Sequence, residues 1–259
     1  MAGVKRLIDI PSWESGTIFG PQSAPKQDVY TASQTQNFAA GTRYVEGDRI
    51  FRYARSSGIV GAALMTQTQE VVTNTENIAQ TGHTWSAGDT SGTVLVATGG
   101  TFAANEFANG IFLVTDGAAT AQGDVYNIIA SEIQSTDTIM NIELDTPIRN
   151  ALVATDDISL LPNRFYDTVV FPAAQAGSAA GVALIDLVAG DWFWAQTGGP
   201  APLQVDTSDT FAIGASVGSA AATAVAGAGG LRVTLEQPWG YVALIGADGE
   251  AGLVYLTLE

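Results

Sequence analysis

No segment of this 259-residue chain holds apolar residues at helical spacing for as long as about fifteen residues; its apolar runs are short and cut by turn residues. A chain punctuated in that way buries its hydrophobic side chains through strands. Arg43-Tyr44-Val45 and Arg49 to Tyr53 flank Glu46-Gly47-Asp48, where Gly47 supplies the positive-φ residue of a tight hairpin. Ile111 to Thr115 lies between Asn109-Gly110 and Asp116-Gly117, and Asp124 to Ala130 follows. Met140, Ile142 and Leu144 alternate with Asn141 and Glu143, and Leu231, Val233 and Leu235 alternate with Arg232 and Thr234, so each trio shares one strand face. Only Gly58 to Gln67 and Phe102 to Asn109 read as a turn or two of helix. That scarcity of helical signal argues against a βαβ nucleotide-binding fold. Gly198-Gly199 and Gly227-x-Gly229-Gly230 open no helix and carry no Lys-Ser/Thr, so neither is a phosphate loop.

The expected fold is all-β, with an extended N-terminal arm followed by two small antiparallel β-sandwich or barrel domains. Residues 1–40 form the arm: they carry Pro11, Pro21 and Pro25, show no sustained period, and space single aromatics at Trp13, Phe19, Tyr30 and Phe38. Those four are expected to anchor the arm on a partner, the alternative being that the arm wraps over its own body. The Ala/Gly-rich stretch 173–181 marks an expected boundary, followed by apolar strands at Val182 to Val188, Asp191 to Thr197, Tyr241 to Ile245 and Leu253 to Leu258. In the second of these Trp192 and Trp194 share one face and Phe193 takes the other. The strand is then either central in a two-layer body or completed by another subunit, and Trp192, Phe193 and Trp194 are the expected oligomer face.

Composition removes most chemistry. Without cysteine there is no disulfide framework, zinc finger or thiol nucleophile, and the one histidine, His83, reads as a turn or strand-edge residue. Residues 1–55 hold seven basic against five acidic residues, a net +2, whereas residues 56–259 hold three against 21, a net −18. That anionic body repels nucleic acid and acidic membranes and points to protein partners. Phe211 to Leu231 lacks charge, yet it is built of Ala, Gly, Ser and Thr rather than membrane-spanning residues. Lys5-Arg6 precedes only Leu7-Ile8 before Asp9, too short for the apolar run of a signal peptide.

Carboxylates are the only plentiful reactive groups. Asp156-Asp157, Asp206 with Asp209, and Asp248 with Glu250 read as turn acids, since strand neighbours point to opposite faces and no set matches a calcium loop. No catalytic residue, cofactor or metal site is expected. Two function classes remain: a structural interaction protein, and a glycan- or receptor-binding module using Trp192, Trp194 or Trp239 as sugar platforms.

Gly41-Thr42-Arg43-Tyr44-Val45-Glu46-Gly47-Asp48-Arg49-Ile50-Phe51-Arg52-Tyr53-Ala54 resembles a hairpin found after the extended N-terminus of tailed-bacteriophage virion proteins. Three blocks in order fit the same group: Asn109 to Gly117; Leu144 to Leu152 with Leu161-Pro162-Asn163; and Gly190-Asp191-Trp192-Phe193-Trp194-Ala195-Gln196-Thr197-Gly198-Gly199. The resemblance spans roughly residues 41–259. It implies a capsid decoration or cement protein on the exterior of the virion, made in the host cytoplasm, whose partners are the major capsid protein and sister copies in a homo-oligomer, a trimer. It also implies that 92–172 is a β-barrel domain set within a body formed by 41–91 and 173–259.

Overall fold

The computed structural model describes residues 27–68, 75–97, 102–117, 121–132, 138–172, 177–205, 212–219, 226–231, 238–246 and 249–259. Among these residues there is no helix. The strands are β1 (Arg43–Glu46), β2 (Arg49–Arg55), β3 (Leu64–Gln67), β4 (Ile78–Ala79), β5 (Ser91–Leu95), β6 (Ile111–Asp116), β7 (Val125–Ser131) and β8 (Ile139–Leu144). They continue as β9 (Asp157–Leu161), β10 (Val169–Val170), β11 (Ala179–Ala183), β12 (Trp192–Gln204), β13 (Ser216–Ser219), β14 (Gly229–Leu231), β15 (Gly240–Leu244) and β16 (Ala251–Thr257). Gly58 to Gln67 forms no helical turn, because Met65 points into an apolar core and the segment ends as β3.

The chain divides into two compact units, one made of Met1–Gln69 with Arg164–Glu259 and one of Glu70–Asn163. Both limits of the second unit fall earlier than the expected 92 and 172. Trp85 packs in the core of the second unit, whereas Phe165 and Tyr166 pack in the first. The small residues of 173–181 are likewise no linker where they are described: Ala179 and Ala180 begin β11 and are fully buried.

Each unit is one curled antiparallel sheet, a half-barrel. In the second unit the order is β4-β9-β6-β7-β8-β5. Strand β8 shows the reason for the curl's one-sided core: Met140, Ile142 and Leu144 are buried while Ile139, Asn141 and Glu143 face outward. Edge strand β5 is blunted by side chains. The Leu95 N–H donates to Gln80 Oε1 at 2.8 Å, and the Trp85 indole donates to the Thr93 carbonyl at 3.0 Å. Backbone groups occupied in this way are closed to pairing with another chain.

In the first unit the order is β10-β3-β11-β12-β16-β15-β13-β14, with β2 also paired to β12 and β1 to β2. The β1–β2 hairpin turns at Gly47, φ +60°, as its sequence requires. It docks against Gly199, φ +75°, where a Cβ would lie 2.0 Å from the Asp48 carbonyl oxygen, so only glycine admits this approach. Strand β12 is the spine. Its first half pairs with β2 through Gly198, and from Gly198 to Gln204 it pairs with β16. Pro200 and Pro202 fall in the stretch that β2 no longer covers, where a residue without an N–H forfeits no ladder bond on that side.

Candidate interaction surface

Trp192, Phe193 and Trp194 are 5%, 1% and 0% exposed, so they are core residues of this chain and not an oligomer face. Trp192 and Trp194 do share one side of β12, packed with Tyr44, Phe51 and Tyr53, and Phe193 lies opposite with Ala54, Leu187 and Ala195. Both sides are therefore covered from within. Burying each such ring stabilises the fold by roughly 1.5–3 kcal/mol, which is lost if the face is kept open for a partner. The sugar-platform reading of the tryptophans fails for the same reason, since Trp239 is also only 1% exposed.

The described part of the arm, from Gln27 onward, completes that cover. Phe38 sits 5.2 Å from the Tyr53 ring and 5.3 Å from Trp194, which makes it an anchor on its own body instead of on a partner. Gln27 is the pin. Its amide donates to the Trp192 carbonyl at 2.7 Å, its Oε1 accepts from Tyr53 and Asn37, and its backbone carbonyl accepts the Trp194 indole N–H at 3.0 Å. Tyr30 is exposed, but its ring lies against the Arg49 guanidinium, 5.6 Å from the centroid, and its hydroxyl accepts from Arg49. Trp13 and Phe19 lie outside the described residues.

One exposed apolar patch lies on the outer face of β12, β16 and β15; the second unit exposes others, such as Val125, Ile129 and Ile139. The register places Pro200 opposite Tyr255 and Tyr255 opposite Tyr241, forming one row across three strands; Ser216 of β13 extends it. A second row holds Pro202, Leu253 and Leu244. The alternate residues Ala201, Val254 and Val242 point into the core, which is why this row pair must point out. The rings of Tyr241 and Tyr255 stack at 5.3 Å and 16°, and Leu244 is 61% exposed. Neither row contains a charged residue. Sequence reading missed these residues because Tyr241 to Ile245 and Leu253 to Leu258 look uniformly apolar. The Pro200-x-Pro202 step on a strand that should be central was the available signal.

Charged groups are used structurally. Glu259 receives a two-pronged bond from Arg52 at 2.9 and 2.7 Å and the Thr197 hydroxyl at 2.7 Å. Burial pushes its carboxyl upward, yet these donors together with Arg43 outweigh burial and hold it below the ordinary glutamate value. In the second unit buried Asp124 accepts from Arg149, Asn150 and Tyr126. There too the hydrogen bonds overcome desolvation, and the carboxyl stays below the usual range. Asp167 goes the other way: burial raises it despite the adjoining Arg55.

Asp156 is buried and accepts the Val153 N–H at 2.9 Å as an ordinary turn acid, while Asp157 begins β9. Asp206, Asp209 and Asp248 lie outside the described residues. His83 is half-buried, with Nδ1 2.9 Å from the Thr93 hydroxyl. Among the described residues no three acidic or histidine side chains gather as a metal site, and no helix is long and apolar enough to cross a membrane. No family model, curated protein or solved structure matches the chain.

Proposed function

We propose that this chain is a non-enzymatic structural protein of a tailed-bacteriophage virion, carried on the capsid exterior, where it associates with the major capsid protein and decorates or cements the head. The observation that carries the interaction role is the uncharged double row of Pro200, Tyr255 and Tyr241 with Pro202, Leu253 and Leu244 on an otherwise acidic body. Aromatic and aliphatic side chains that cross three strands without a charge are the composition of an interface centre. The virion setting rests on the resemblance of the hairpin at 41–54 and of the three later blocks.

A partner that binds only the assembled shell stabilises it by RT ln(1 + [L]/Kd), about 2.7 kcal/mol per site at a hundredfold excess over Kd. Shells carrying the protein are therefore expected to withstand a higher temperature before releasing DNA than shells stripped of it. Co-sedimentation with shells tests the binding, and a heat-release series tests cementing. A protein that stays in the supernatant at every concentration is not a capsid protein, and identical release temperatures reduce the role to decoration.

A further inference from the structure

We infer that the second unit carries an interaction surface of its own, a groove on the outward side of β8 that takes an extended basic segment of a partner protein. It is separate from the β12, β16 and β15 face and does not depend on shell binding. The groove holds about 710 Å³, and its lining includes Ser91, Asn105, Ala130, Glu132, Asn141 and Glu143.

Charge selects the occupant. Residues 70–163 hold twelve acidic residues against Arg149 alone, a net −11, whereas the rest of the chain holds 14 acidic against nine basic, a net −5. That one arginine is spent on buried Asp124. Glu132 accepts from the Asn141 amide at 2.6 Å, and among the described residues neither Glu132 nor Glu143 is paired with a cation. The cations that suit these carboxylates therefore come from a partner, and a field of this sign steers basic segments toward the unit.

Register sets the shape of that partner. Glu143 lies opposite Ser91 on one flank and Ala130 on the other, short side chains that leave its carboxylate open. The Glu132 N–H donates to the Asn141 carbonyl, so Glu132 sits beside Asn141, one two-residue step along β8 from Glu143. Asn141 and Glu143 alternate with buried residues and face outward, and the side-chain bond to Asn141 puts Glu132 on the same side. With about 6.8 Å per two-residue step and about 4.8 Å between strands, the two carboxylates are rooted roughly 8 Å apart. Basic residues two positions apart on an extended chain, about 6.8 Å, meet both. A single metal ion does not fit, since no three acidic side chains gather among the described residues. Edge strand β5 is already blunted, so the segment lies across the face, held by side chains.

Anisotropy of a fluorescein-labelled peptide of alternating lysine and serine, titrated with the full chain, tests this; a peptide of the same composition with its lysines contiguous is the comparison. Saturable binding is expected that weakens as salt rises and favours the alternating peptide by about threefold, since only it reaches both carboxylates. Glu132→Gln and Glu143→Gln are each expected to lower affinity about three- to fivefold. Asp116→Asn removes the same charge from the same unit outside the groove, and it is expected to change affinity by less than about twofold. All three positions are exposed, and circular dichroism confirms that the variants keep the fold. No saturation, equal affinity for the two peptides, an equal loss in Asp116→Asn, or displacement of the peptide by calcium at constant ionic strength each overturns the inference. Co-sedimentation with shells tests the proposed function separately, so either can fail while the other stands.

Discussion

The Tyr53 hydroxyl donates to Gln27 Oε1 at 2.6 Å across 26 residues of sequence, in the buried space under Phe38. That bond ties the segment ahead of the first hairpin to β2, the strand paired with the spine strand β12. Residues from Gln27 to Ala40 are therefore part of the folded body, whatever role the chain ahead of them has.

Gln27→Ala is expected to destabilise the first unit by about 2–3 kcal/mol, because it leaves the Trp192 carbonyl and the Tyr53 hydroxyl buried without Gln27 as partner. Tyr53→Phe removes one donor and is expected to cost about 1 kcal/mol. Urea denaturation followed by tryptophan fluorescence reads both, and a Gln27→Ala midpoint equal to the parent's would show that the pin carries no stability.

The same burial gives an alkaline limit. Tyr44, Tyr53 and Tyr126 all have hydroxyl pKa values raised above the ordinary tyrosine value, chiefly by desolvation. A group whose folded pKa is raised contributes stability that is complete below its unfolded value, near 10, and is lost as pH rises through the folded value. Stability is expected to fall from about pH 10 upward, and less steeply in Tyr53→Phe. Identical slopes in the two proteins would remove Tyr53 from the account.

Acid acts on the second unit through Asp124. Its lowered pKa means that its contribution is present above the unfolded value, about 3.9, and disappears as pH falls through the folded value. Asp124→Ala is expected to cost about 2 kcal/mol at neutral pH, since it removes the carboxylate that accepts from Tyr126 and Asn150, and to flatten the loss of stability below pH 4. Thermal melts from pH 7 to pH 2.5 compare the two.

Two buried tryptophans separate packing from hydrogen bonding. The Trp85 indole N–H donates to Thr93, whereas the Trp239 indole N–H has no partner among the described residues. Both changes to Phe remove ring volume, but Trp85→Phe also orphans a carbonyl on an edge strand. It is expected to cost about 1 kcal/mol more than Trp239→Phe. Equal losses in urea denaturation would mean that the Trp85 bond is energetically silent.

Local features of the chain were legible where one face of one strand settles them. The alternation of Met140, Ile142 and Leu144 appears as β8, and Gly47 turns the hairpin between Arg43–Glu46 and Arg49–Arg55. The opposite facing of Trp192 and Phe193 also follows from the two-residue period alone. The boundaries of the units were not legible, because Trp85 and Phe165 look alike in sequence and differ only in the core each joins.

Sequence by itself determined that this chain is all-β, acidic and without cysteine chemistry, because periodicity and charge are local sums that survive any arrangement of the strands. Tertiary structure alone decided which apolar residues stay outside. Trp192 and Trp194 are as apolar as Tyr241 and Leu244, yet the first pair is covered by Gln27 to Ala40 and the β1–β2 hairpin, and the second pair faces outward. What covers a strand face is set by segments far away in sequence, such as Gln27 over Trp192 at a separation of 165 residues, and no local pattern encodes that meeting.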